Sequence, residues 1–144
     1  RDYYASRGLG DVYKRQAMLS PASIRYLLAV YELSDGGAAV RSVDIANALK
    51  VSRASVVKCL KRLAGEGMIR KEHYGAVQLT PEGVRESNRI FTEYTLLYAF
   101  FLQRLGVPPG CARRDAVSAL CAFTAESREQ LIRRVLEPSF AEES

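Results

Sequence analysis

One histidine, His73, and three cysteines stand in a chain of 144 residues. Metal centres and acid–base sites need several imidazole, thiolate or carboxylate groups at set spacings, and no such cluster is written here. A nucleophile motif and a phosphate-cradling glycine loop are also missing, so an enzyme is not expected. Cys59, Cys111 and Cys121 are odd in number and have no paired spacing. A disulfide framework is therefore not expected, and a reducing cytoplasm is. No apolar run is long enough to span a bilayer. The stretch from Tyr94 to Leu105 is rich in Leu, Phe and Tyr, but it is short and reads as a buried helix. No charged-then-apolar secretory signal opens the chain, and there is no repeat or low-complexity tract.

What is present is an ordinary globular composition, 48% hydrophobic and 26% charged, with a net charge of +5. The charge is unevenly placed. Between Arg41 and His73 eight basic residues face three acids, whereas from Tyr74 onward eight basic residues face nine acids. The whole excess thus sits in one short segment, which matches the footprint of a phosphate-binding face. Residues 1–17 stand apart: Arg1 to Gln16 show no periodicity, are broken by Gly8 and Gly10, and are expected to be a non-native or disordered leader.

Local signals place the elements. Ser20-Pro21 reads as an N-cap followed by proline at the first helical position, with Ile24, Leu27, Leu28 and Tyr31 on one face, and Ser34-Asp35-Gly36-Gly37 as the stop. A short extended piece, Ala39-Val40-Arg41, leads to Ser42, expected to cap a helix from Val43 to Leu49. Lys50-Val51-Ser52 makes a tight turn, and Ser52 caps a helix running to about Ala64 with Val56, Cys59, Leu60 and Leu63 inward. Met68–Lys71 and Ala76–Leu79 read as strands around the turn Glu72-His73-Tyr74-Gly75, which is a hairpin. Thr80-Pro81 opens a long helix expected to reach Leu105, Gly106–Gly110 breaks it, and helices follow at about Cys111–Phe123 and from Thr124 to Leu136. The fold class is mainly α: a winged helix-turn-helix over residues 18–80, then an α-helical dimerisation domain over residues 81–144.

In that arrangement the second helix of the pair would enter a DNA major groove. Ser52, Arg53, Ala54, Ser55 and Lys58 form its leading turn and flank. Arg and Lys can pair with guanine acceptors and alanine can approach a thymine methyl. Lys61 and Arg62 lie a turn further on, where backbone contact is expected, together with Arg41 and, in the wing, Arg70, Lys71 and His73. As a lone histidine at a turn, His73 reads as a solvated wing residue and not as a metal ligand.

Three stretches carry a family resemblance: Asp44-Ile45-Ala46 with Leu49, Val51-Ser52 and Ser55-Val56; Leu79-Thr80-Pro81-Glu82-Gly83; and Leu102-Gln103-Arg104-Leu105-Gly106-Val107. With this order of elements the chain resembles, from about Ser20 to Leu136, the diphtheria toxin repressor and manganese transport regulator family of metal-dependent transcriptional repressors. The resemblance implies a homodimer on a pseudo-palindromic operator. It also implies where Mn²⁺ or Fe²⁺ ligands would lie, and those positions here carry Arg25, Leu28, Tyr94, Val117, Leu120 and Cys121. Only Cys121 is a donor, and Arg25 would repel a cation, so the expectation is that the primary metal site is absent and no cofactor is used. The apolar residues would pack together where the ion sits, giving a constitutively assembled regulator or one that answers another signal.

Tyr94, Leu97, Tyr98 and Phe101 make an apolar stripe on the long helix and are expected to meet a second copy of the chain. Two other readings stand beside this one: a winged-helix module that contacts protein, and a thiol-responsive regulator that uses Cys121.

Overall fold

A computed structural model describes residues 19–138; the expected leader lies outside the described residues. Helix α1 (Pro21–Ser34) opens as its sequence dictates: Ser20 Oγ accepts from the Ser23 amide at 3.0 Å, and proline fills the first helical position. It closes on Asp35, left-handed at φ 40°, followed by Gly36 and Gly37 at φ 98° and 113°. Strand β1 (Val40–Arg41) leads directly into α2 (Ser42–Leu49). Ser42 is the first helical residue and not the cap; Arg41 holds the cap position and makes no side-chain capping bond. Lys50, left-handed at φ 55°, turns the chain into α3 (Arg53–Gly65), where Ser52 Oγ accepts from the Ser55 amide at 3.1 Å.

The wing is strand β2 (Ile69–Lys71), a single 3₁₀ turn at His73–Gly75, and strand β3 (Ala76–Leu79). Strand β3 is central. It pairs antiparallel with β2, Ile69 opposite Leu79, and with β1, Val40 opposite Val77. The short extended piece ahead of α2 is thus a third strand, which only this long-range pairing reveals.

Thr80 closes the base of the wing. Its hydroxyl donates to the Gly67 carbonyl at 2.6 Å and accepts from the Gly83 amide at 2.9 Å, while its own amide donates to the Met68 carbonyl at 3.0 Å. The long helix α4 (Pro81–Ala99) starts there. A Cβ on Gly83 would sit 1.9 Å from the Met68 carbonyl oxygen. Backbone meets backbone at that point, so any side chain must part α4 from the wing. This is the physical reason for the Thr-Pro-Glu-Gly run.

The long helix does not run to Leu105 as a regular α-helix. Phe100–Arg104 widens into a π-helical turn, Leu105 donates to the Phe100 carbonyl at 3.3 Å, and Gly106 reverses the chain at φ 69°. Helices α5 (Pro109–Ala122) and α6 (Ala125–Leu136) follow, α5 starting two residues earlier than the sequence suggests because Pro109 suits a first helical turn.

Buried side chains from α1 to α5 form one contiguous cluster. Leu27, Ile45, Leu63 and Leu97 are fully enclosed, and each such side chain stabilises the fold by about 1.5–3 kcal/mol. Among the described residues no helix is long and apolar enough to cross a membrane.

Candidate nucleic-acid interface

Helix α3 is fixed from behind by Val56, Cys59, Leu60 and Leu63, all buried. With four residues held inward at helical spacing, the remaining faces must look out. Arg53, Ala54, Ser55, Lys58 and Lys61 are all exposed, and so are Arg41, Ser52, Arg62, Arg70, Lys71 and His73. Val57 lies toward the wing, with Arg53 and Lys61 one turn before and after it on the same helix. Val57 and Leu60 share a cleft of about 200 Å³ with Ser42 and with wing residues Lys71, Glu72, Gly75, Ala76 and Val77. Helix α3, cleft and wing therefore form one continuous face.

Not every basic group on that face is equally available. Arg62 turns back and donates to Ser20 Oγ at 3.3 Å, fastening α3 to the start of α1. Arg70 lies along the sheet, 3.4 Å from the Glu72 carboxylate and 3.3 Å from Gln78 Oε1. Arg41 sits 3.8 Å from Asp44, but both side chains are more than half exposed and the pair is weak. Ser52 is spent on its cap and also donates to Ser55 Oγ at 2.9 Å. On the outward side of α3 and in the wing, Arg53, Lys58, Lys61 and Lys71 make no hydrogen bond or ion pair with another described residue.

The residues expected at a partner-facing stripe separate on inspection. Leu97 is fully buried within its own chain, so it belongs to the core and cannot meet a second copy. Tyr94, Tyr98 and Phe101 remain half-buried, with the Tyr94 and Tyr98 rings stacked at 6.3 Å. The helix turns Leu97 inward because it lies on the Ile90 side, one position from Tyr98, and neighbouring positions on a helix point about 100° apart.

The six positions at which the resemblance places metal ligands lie on α1, α4 and α5. Leu28 and Leu120 are buried, Tyr94 and Val117 pack against the same core, Arg25 is exposed and Cys121 is half-buried. Burial pushes the Cys121 thiol up, against the downward pull of Arg25 and Arg128. That is opposite to the low value a responsive thiolate needs, and it weakens the thiol reading. Burial likewise raises Glu32, partly offset by Arg113, and raises the Tyr94 hydroxyl, to which Glu32 adds. Among the described residues no three His, Cys, Asp or Glu side chains converge where an ion could sit. These side chains do not fit a Mn²⁺ or Fe²⁺ centre.

Sequence reasoning missed two features. Arg128 of α6 is buried, pairs with Glu93 of α4, and donates to the Phe123 carbonyl at 2.6 Å. A buried arginine carries no local sequence signal. Tyr74, at the tip of the wing, is 99% exposed and left-handed at φ 60°; the neighbouring Gly75 marks a turn but not which residue would point outward.

Residues 18–77 match the sequence profile of the iron dependent repressor N-terminal DNA binding domain. The transcriptional regulator MntR of Salmonella typhimurium is 43% identical over 76 residues, which is 53% of this chain and 48% of that protein. The chain thus spans about half the length of that relative. The HTH-type transcriptional regulator MntR of Listeria monocytogenes is 32% identical over 98 residues, 68% of both chains. Among solved structures, IdeR of T. acidophilum superposes with a TM-score of 0.66 at 27% identity, over 77% of this chain and 52% of that one. The manganese regulator SloR superposes with a TM-score of 0.69 at 22% identity, over 81% and 54%. These similarities overturn one expectation. The matched profile is that of iron-dependent repressors, SloR is a manganese regulator, and a further neighbour, ScaR, was solved with bound Zn²⁺. The expectation that no cofactor is used is therefore withdrawn, although the side chains at the six positions do not form a ligand set.

Proposed function

The chain belongs to the iron-dependent repressor family, that of the diphtheria toxin repressor and the manganese transport regulator, and on that premise we propose that it represses transcription by placing α3 in the major groove of an operator as one half of a homodimer. The relatives are transcriptional regulators and not enzymes. Residues 18–80 act as the DNA-reading unit and residues 81–144 as the dimerising half.

One observation carries this reading. The side of α3 that bears Arg53, Ala54, Ser55, Lys58 and Lys61 is open to solvent, while its apolar side is locked into the core. Arg53 and Lys58 are placed for base edges and Lys61 for phosphate, with Lys71 and His73 reaching backbone from the wing and Arg41 from the foot of α2. Tyr94, Tyr98 and Phe101 retain apolar area on the helical half, and closing it against a twin subunit sets two recognition helices on one duplex.

Two linked measurements test the proposal. In sedimentation the chain is expected to run as a dimer. Selection from a random-sequence duplex library is expected to return a two-fold symmetric site whose half-sites lie about one helical turn, roughly 10 base pairs, apart. A monomer, or a selected site without symmetry, would contradict the dimeric part of the reading. No enriched sequence at all would contradict the whole.

A further inference from the structure

We propose that Tyr74 is a DNA contact in its own right, its ring packing into the minor groove or onto the sugar edge beside each half-site. The proposal rests on the DNA-binding reading above and deepens it.

Four observations place it there. Tyr74 is 99% exposed, the most open of the large apolar side chains among the described residues, and the one ring contact it makes among them is with a tilted neighbour, His73, with centroids 6.2 Å apart. Its backbone is left-handed, φ 60° and ψ 38°, a region that tyrosine avoids. Strain of that kind is retained where surrounding structure imposes it, and it collects at functional positions. The turn is imposed: the Glu72 amide donates to the Ala76 carbonyl at 2.7 Å, and Gly75 continues the positive φ at 74°, where a Cβ would come 3.6 Å from Ser42 Oγ at the foot of α2. Finally, the wing residues on either side of the turn, Glu72 and Gly75, share a cleft with Val57 on the outward flank of α3, so the turn that carries Tyr74 starts and ends beside that flank.

The chemistry fits a duplex. An aromatic ring that is solvated in the free chain releases water when it packs on sugar carbons, and apolar wedges in minor grooves do this between base steps. The tyrosine hydroxyl can also donate to the acceptors on the groove floor or to phosphate. Lys71 and His73, which precede Tyr74 in the wing, supply backbone attraction, which holds the wing close without choosing a sequence.

The test uses the full chain and the duplex that the unaltered chain selects from a random library. Tyr74→Gly removes the ring and relieves the strain, so its melting temperature should match or exceed that of the parent. Its affinity should fall by about tenfold, the scale of one lost aromatic contact to nucleic acid. Tyr74→Phe keeps the ring and should bind within about twofold of the parent, by the same argument that the ring carries the contact. Hydroxyl-radical protection of the sugars flanking each half-site should vanish in Tyr74→Gly and persist in Tyr74→Phe. If Tyr74→Gly binds and protects like the parent while Arg53→Ala loses binding, the Tyr74 contact is refuted and the recognition helix stands. Should the phenylalanine variant bind as weakly as the glycine variant, the ring is not the contact. If the parent chain enriches no duplex, both readings fall together.

Discussion

Replacing both Arg53 and Lys58 with alanine is expected to weaken binding to the selected duplex by about 100-fold or more while leaving the melting temperature unchanged. Each bidentate base contact is worth about 1–3 kcal/mol, and these two side chains stand five residues apart on the exposed side of one helix. Neither has a partner among the described residues, and alanine is at least as good a helix former as arginine or lysine. The fold therefore loses nothing when they are removed. Lys61→Ala supplies the contrast. A phosphate contact positions without specifying, so binding should weaken about equally on every sequence and the salt slope should shrink by about 1. Fluorescence anisotropy on selected and scrambled duplexes separates the two patterns. Equal loss on both duplexes for the Arg53 and Lys58 variant would show that these side chains touch only backbone.

Arg128→Ala is expected to cost about 3–5 kcal/mol of folding stability, the largest single-residue effect outside the apolar core. Arg128 and Glu93 have side chains 9% and 18% exposed, and the guanidinium also satisfies the Phe123 carbonyl at the end of α5. Removing the arginine leaves a mostly buried carboxylate and a carbonyl without their donor. The pair joins α6 to α4, so loosening should begin in the helical half. Replacing both partners with apolar residues should cost much less, because no unpaired charge is then left behind. Urea denaturation of both single variants and of the double variant forms a closed cycle that reads the coupling directly. Additive losses would mean that the two groups do not act together.

Much of this architecture is visible in the chain itself because its determinants are local. Ser20-Pro21, Ser52 and Thr80-Pro81 write helix starts, and each hydroxyl accepts the amide three residues on. The inward residues of α3 follow from helical spacing alone. What stayed hidden depends on partners distant in sequence. The two-residue strand Val40–Arg41 exists only because β3 pairs with it. Leu97 belongs to the same apolar stripe as Tyr94 and Phe101, and periodicity cannot say which stripe residues the chain buries for itself. The π-helical turn at Phe100–Arg104 shifts the helix surface by about one residue, a change with no simple signature. Glycine at 83 looked like part of a motif; its reason, a backbone carbonyl where a methyl would go, needs coordinates. The open side of α3 was legible, but the turning back of Arg62 and the alignment of Arg70 along the sheet were not, since long side chains choose partners only once the elements are packed.

The most direct test is the equilibrium affinity of the purified chain for its selected duplex and for a random duplex, measured over a series of salt concentrations. Tight, sequence-dependent association is expected, falling steeply and linearly on a log–log plot as salt rises, the mark of several phosphates neutralised at once. Absence of binding at low ionic strength, or association indifferent to both salt and sequence, would mean that the charged side of α3 faces only water.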